Sequence, residues 1–157
     1  MSITFQKEKV TAKLTLEVRD LYAPWWEESD FHTKLGVDYK PLLSQFLTLG
    51  DSVIAVTGRD EQGNLKYVYA AVVTPYVYNP FVTYAQECVW CVEKGGSSVR
   101  GLLQFLEAIE KTLKEAEVDI FSLVVPNKYL TETKSKFFKK LGFIEMDTVM
   151  FKEVTHG

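Results

Sequence analysis

The chain has 157 residues and a mass of 18.0 kDa, the size of a single domain, and can bury about two-thirds of its unfolded surface without disulfide or metal staples. Apolar residues make up 46% and charged residues 25%, which excludes a disordered chain. A net charge of −3 argues against nucleic-acid binding through the overall field.

Residues 1–7 lack the apolar stretch of a secretion signal, and no later run approaches the roughly 20 apolar residues of a membrane span. The expected location is the cytoplasm. Ile3 to Phe5 can begin an edge strand. From Lys9 to Val18 two patterns coincide. Val10, Ala12, Leu14, Leu16 and Val18 alternate as in a strand, while Val10, Leu14, Val18, Leu21 and Trp25 fit one helical face. Pattern alone does not decide between them. Tyr39 to Leu49 predicts a short helix, with Pro41 in its first turn and Gly50 at its end. Ser52 to Thr57 and Lys66 to Thr74 predict a hairpin around the turn Asp60-Glu61-Gln62-Gly63-Asn64.

Pro75 to Pro80 predicts a loop and Val82 to Val92 a third strand. That strand carries the two cysteines of the chain, Cys88 and Cys91, in C-x-x-C spacing. A zinc site needs two further ligands, and the two histidines, His32 and His156, fall in a polar loop and the C-terminal tail. Two reduced core cysteines and no metal are expected. The clearest helix spans 98–116, with Leu102, Phe105, Leu106, Ile109 and Leu113 on its apolar stripe and Glu107, Glu110, Lys111 and Lys114 opposite. Val118 to Val125 predicts an apolar strand ended by Pro126-Asn127. Thr131 to Leu141 predicts a helix closed by Gly142, and Phe143 to Val154 one or two final strands.

The informative stretch is strand, glycine-rich turn, helix, strand over residues 84–125. Gly95-Gly96-Ser97-Ser98 precedes a helix whose first amides sit at the positive end of its dipole. Glycines let a phosphate approach the backbone, a serine can cap the helix or donate to phosphate, and Lys94 and Arg100 bracket the turn with positive charge. The dinucleotide and P-loop fingerprints are absent. The same four residues also read as a plain strand-to-helix turn with a capping serine.

The run from Cys91 to Lys152 resembles the acyl-CoA-binding half of the GNAT superfamily of N-acetyltransferases. The basic and glycine turn, the Leu102-Leu103 pair, Asn127 after the next strand and Phe138-Lys139-Lys140-Leu141-Gly142-Phe143 carry the likeness, with Met150-Phe151-Lys152 similar to the closing strand. Gly95-Gly96 with Leu102-Leu103-Gln104-Phe105-Leu106-Glu107 is most similar to the GNAT-like proteins of tailed bacteriophages. The resemblance implies an α/β (αβα) domain over residues 1–157, with a substrate-side half at 1–80 and an acyl-CoA-side half at 81–157. It implies a twisted, mixed but mostly antiparallel sheet of six to seven strands flanked by helices, splayed between strands 82–92 and 118–125, and it favours a helix over much of residues 9–28.

The activity implied is acyl-CoA-dependent transfer, with acetyl-CoA as co-substrate, to an amine of a small molecule or protein. Lys94, Gly95, Gly96, Ser97, Ser98 and Arg100 would hold the pyrophosphate, Cys91 and Val92 the pantetheine arm through their backbones, and Asn127 would add a further contact. Glu87 is the candidate base, and a Glu paired with a Lys at a sheet edge is the alternative. Trp25, Trp26, Glu27 and Glu28 are candidates for an amine pocket, with core packing the favoured alternative for the two tryptophans. The family's acid tyrosine is replaced by Phe138, which leaves Tyr129 as a substitute, and the glycine turn departs from the family pattern. These departures motivate another reading: an inactive GNAT-shaped scaffold, such as a phage structural or host-directed factor in a host cytoplasm, that binds a protein or a second copy through Tyr76–Tyr84.

Overall fold

The computed structural model describes residues 2–28, 39–126, 128–146, 152 and 154, without the side chains of residues 39, 40, 42 and 43. In it the ambiguous segment after Lys9 is a helix, α1 (Ala12–Trp26). Thr11 caps it by accepting a 3.1 Å bond from the Leu14 amide, which satisfies one of the first-turn donors. Leu14 is buried and Val10, Val18, Leu21 and Trp25 pack around the same core, whereas Leu16 is 42% exposed. A strand would have buried Leu16 beside Leu14. A second helix, α2 (Tyr39–Leu49), runs into a 3₁₀ turn at Gly50–Ser52.

Five strands among the described residues form one sheet in sequence order: β1 (Thr4–Glu8), β2 (Val53–Arg59), β3 (Leu65–Tyr76), β4 (Asn79–Val92) and β5 (Ile120–Phe121). The first three pairings are antiparallel and β4–β5 is parallel. Helix α3 (Val99–Glu115) connects β4 to β5. The architecture is α/β, a mixed and mostly antiparallel sheet flanked by helices. One face packs on α1 and α2, with Leu14, Phe46, Val53, Ala55, Val68, Ala70 and Cys91 in its core. On the other face Phe105 of α3 is fully buried, stacked on Phe5 at 5.7 Å and tilted on Tyr67 at 5.3 Å. Arg59 ties β2 to both β1 and α1. It meets Glu8 at 2.8 Å and Glu17 at 2.7 Å, and donates at 2.8 Å to the Gly63 carbonyl.

Several expectations change. Among the described residues the sheet has five strands, not six or seven, and Phe143 to Met146 joins no ladder; residues 147–151 and 153 of the expected final strands lie outside the described residues. The apolar run 118–125 pairs only at Ile120 and Phe121. Pro75 to Pro80 is not a loop. Tyr76 pairs with Asn79 across a two-residue turn at Val77-Tyr78. Pro75 is tolerated because it lies past the last β2 pair, Val53 with Val72, where β3 has a neighbour on one side only. Cys91 is buried, but Cys88 is exposed, so only one of the two cysteines belongs to the core.

The chain divides into two compact units, residues 1–123 and 124–157. The second holds α4 (Glu132–Lys140), capped by Thr131. It ends in a Schellman pattern, Phe143 amide to Phe138 carbonyl at 3.1 Å and Gly142 amide to Lys139 carbonyl at 3.0 Å. Gly142 sits at φ +89° there, as glycine does in this motif.

Candidate functional site

The site is built on the far edge of β4. The β4–β5 ladder comprises Tyr84 with Ile120 and Ala85 with Phe121, extended by backbone bonds from Asp119 to Thr83 at 3.0 Å and from Ser122 to Ala85 at 3.2 Å. The next β4 amide, Glu87, turns to a side chain, the Ser122 hydroxyl at 3.3 Å. Beyond it β5 offers no further ladder pair among the described residues. On the β3 side the register slips at the same point: Ala70 pairs with Val89 and Ala71 with Glu87, so Cys88 is an extra residue. Such a bulge bends the strand and leaves its backbone groups outside the ladder. The β4–β5 ladder ends here among the described residues, and β4 continues with one edge uncovered by β5.

That edge runs into the glycine turn. Glu93 is held to β3 by its amide on the Lys66 carbonyl at 2.8 Å and by its carboxylate on Lys66 at 2.6 Å. The Gly96 amide closes the turn on the Glu93 carbonyl at 3.1 Å. Gly95 has φ +76°, a conformation that favours glycine; Gly96 does not, and a Cβ there would meet the Glu93 carboxylate at 2.6 Å. Ser98 is the N-cap of α3, its hydroxyl accepting from the Gly101 amide at 2.9 Å. The Val99 and Arg100 amides precede the first intrahelical bond, Leu102 to Ser98, and face outward with the positive end of the dipole. Ser97 and Arg100 are exposed. Lys94 is engaged in an ion pair with Glu28.

The four candidates at the end of α1 do not converge on one pocket. The Trp25 indole donates to the Val92 carbonyl at 3.0 Å, bracing the helix on the last residue of β4. Glu28 holds Lys94, Glu27 is exposed, and Trp26 packs edge-on against Tyr22 at 4.7 Å. Trp26 and Tyr22 line a cavity of about 200 Å³ between α1 and the sheet, with Leu14, Val18, Cys88 and Val89. Its described lining holds one cation, Arg19, and no carboxylate. Cys91 is a core residue whose thiol burial pushes up to about 12.

Glu87 is half-buried where β4 leaves β5. Burial and then the Glu87 charge raise the phenols of Tyr22 and Tyr69 above their ordinary value. Tyr69 is fully buried and edge-on to Phe121 at 6.1 Å. In the second unit, the Tyr129 amide is held by the Pro126 carbonyl at 2.8 Å and its ring lies 5.9 Å from the Lys128 ammonium. Asn127 lies outside the described residues.

Sequence reading missed the bulge at Cys88, the Ser122 hydroxyl and Gly101. No glycine or proline marks the bulge. Gly101 did carry a signal, since a glycine just inside a helix asks for a reason; a Cβ there would collide with the Tyr67 hydroxyl.

No family model matches the chain, and no curated protein matches it. Solved structures do. An aminoglycoside acetyltransferase from an uncultured soil metagenomic sample, in complex with trehalose, superposes with a TM-score of 0.72 at 10% identity, over 98% of this chain and 97% of that one. The ribosomal-protein-alanine N-acetyltransferase of Brucella melitensis gives 0.64 at 12% identity, over 98% and 100%. A Clostridium acetobutylicum protein described as a predicted acetyltransferase, solved with acetyl-CoA, gives 0.67 at 14%, over 97% and 96%. The chain has the fold of the GNAT acetyltransferases.

Proposed function

We propose that the protein is a cytoplasmic acyl-CoA-dependent N-acyltransferase with acetyl-CoA as donor, the whole of 1–157 forming one functional domain with the acceptor on the 1–80 side and the donor on the 81–157 side. The observation that carries this reading is the edge of β4 past Glu87, uncovered by β5 and leading directly into Gly95 and the first turn of α3. An extended, amide-bearing arm pairs with such an edge as an added strand does. A pyrophosphate suits amides at a helix start. The residues fit that group: the turn carries no side chain at Gly95 or Gly96, and Ser97, Ser98 and Arg100 surround it.

Acetyl-CoA supplies the activated carbonyl. Transfer is direct: the acceptor nitrogen bonds to the carbonyl carbon as the carbon–sulfur bond breaks, sulfur leaves as thiolate, and no enzyme side chain is acylated. Glu87 receives the amine's proton from its place at the strand divergence. The cavity beside Cys88 supports an acceptor amine carried on an apolar or aromatic body; a polycation would need the carboxylates that its described lining lacks.

Calorimetry with acetyl-CoA, followed by transfer assays on a panel of apolar and polycationic amines, tests this. Expected are micromolar-range binding, turnover of the apolar amines and loss of turnover in Glu87→Gln. No heat at millimolar acetyl-CoA refutes it.

A second reading, a non-catalytic scaffold that binds a protein, is favoured by one observation. At the β3–β4 tip Val77, Tyr78 and Phe81 are 81%, 85% and 94% exposed, and contiguous exposed apolar groups mark contact surfaces. A monomer that shows no partner and loses its function in Glu87→Gln excludes it.

A further inference from the structure

Two hydroxyls meet where the β4–β5 ladder ends, and a third, on β3, is left over. Tyr84 donates to Ser122 at 2.8 Å, and the same Ser122 oxygen accepts the Glu87 amide at 3.3 Å. The third is Tyr69, fully buried, whose hydroxyl has no hydrogen-bond partner among the described residues. A buried hydroxyl without a partner is uncommon and costly, and asks for an explanation. Its setting is defined by its neighbours. Tyr69 pairs with Trp90, two residues past the bulged Cys88, and Ala71 with Glu87 just before it. Phe121, the last residue of the β4–β5 ladder, meets its ring. Glu87, Tyr84 and Cys88 are close enough to act on the phenol electrostatically.

We propose that the Tyr69 hydroxyl is a hydrogen-bond donor to the thioester carbonyl oxygen of the bound acyl-CoA. This rests on the acyl-CoA reading above. Burial and the adjacent Glu87 charge keep the phenol protonated, so it acts as a donor and never as an anion. A carbonyl oxygen is an acceptor only, and gains negative charge as the amine adds to its carbon. A neutral donor bonded to that oxygen would therefore hold the ground state and, more strongly, the transition state. Its ring is held edge-on to Phe121 and within the sheet, which fixes where the hydroxyl can donate.

The test compares acetyl-CoA with S-ethyl-CoA, a thioether that lacks only the carbonyl oxygen, on the wild type and on Tyr69→Phe. The variant keeps the ring and removes only the hydroxyl. Expected is an unliganded Tm at or above the wild-type value, since an unpartnered buried hydroxyl has been removed. Acetyl-CoA affinity should fall about fivefold to tenfold, a neutral hydrogen bond's worth, with S-ethyl-CoA affinity changed less than about twofold. Equal changes for the two ligands, or none, overturn the proposal while leaving the acyl-CoA reading intact. A wild type that binds acetyl-CoA and S-ethyl-CoA equally overturns it without recourse to the variant. A wild type that binds neither sinks both.

Discussion

Gly95 and Gly96 adjoin in sequence yet serve different ends. At Gly95 the backbone is left-handed, φ +76°, and nothing lies near a would-be Cβ, so the requirement is conformational. At Gly96 the backbone is ordinary and the space is filled by the Glu93 carboxylate, the flexible end of a side chain that also holds Lys66. In the sequence the two read alike, as glycines that let a phosphate approach the backbone. Only the first needs positive φ. Gly95→Val should cost about 1–2 kcal/mol from the left-handed strain of a residue with a Cβ, with more from its β-branch. Gly96→Ala displaces one carboxylate and should cost at most about 1 kcal/mol, as for other exposed ion pairs. Urea denaturation of the two variants measures the difference. A Gly96→Ala variant less stable than Gly95→Val contradicts this assignment.

Helix ends allow the same comparison between elements. Helix α4 closes with Gly142, and α3 closes with the same pair of bonds, Val118 amide to Leu113 carbonyl at 3.0 Å and Glu117 amide to Lys114 carbonyl at 3.1 Å. There the left-handed residue is Glu117, φ 57°. Glu117→Gly relieves that strain but loosens the unfolded chain, for a net stabilisation of roughly 0.5–1 kcal/mol. Differential scanning calorimetry should show a raised Tm; a fall would mean the Glu117 side chain holds the turn in some other way. The contrast also explains what could be read in advance. The helix ending at Gly142 was legible, and so was α3, whose cap Ser98 and buried Phe105, Ile109 and Leu113 follow the predicted stripe. The start of α1 was not, because Val10, Leu14 and Val18 fit both periods, and it is the exposure of Leu16, which only a strand would bury, that separates them. The hairpin tip was misread because two prolines five positions apart, Pro75 and Pro80, look like a loop unless β2 is known to stop short of them. Of the site, the glycine turn was visible in the sequence. The bulge at Cys88 and the unpartnered Tyr69 were not, since Tyr67 and Tyr69 alternate like any core strand and partnership depends on what folds around the ring.

Across the whole molecule, charge opposes the proposed donor. The protein carries −3, and a coenzyme A thioester is itself a polyanion, so the long-range field repels it. Near the turn, Lys94 is neutralised by Glu28 and Glu93 by Lys66, which leaves Arg100 and the amides of α3 as the local attraction. Binding that depends on backbone dipoles at contact distance is little screened, whereas attraction between exposed charges fades beyond a Debye length of about 10 Å at 0.1 M salt. Acetyl-CoA affinity should therefore change by less than about threefold between 50 and 500 mM NaCl, and Lys94→Ala should weaken it only modestly. Glu28→Gln should act the other way. By releasing the Lys94 ammonium it should raise affinity about twofold to fivefold at 50 mM NaCl, an advantage that screening removes at 500 mM. Isothermal titration at the two salt concentrations reads all three effects. Abolition of binding by Lys94→Ala, or an affinity that collapses with salt, would show that side-chain charge and not the helix terminus holds the pyrophosphate, and the glycine turn would then be no more than the cap of α3.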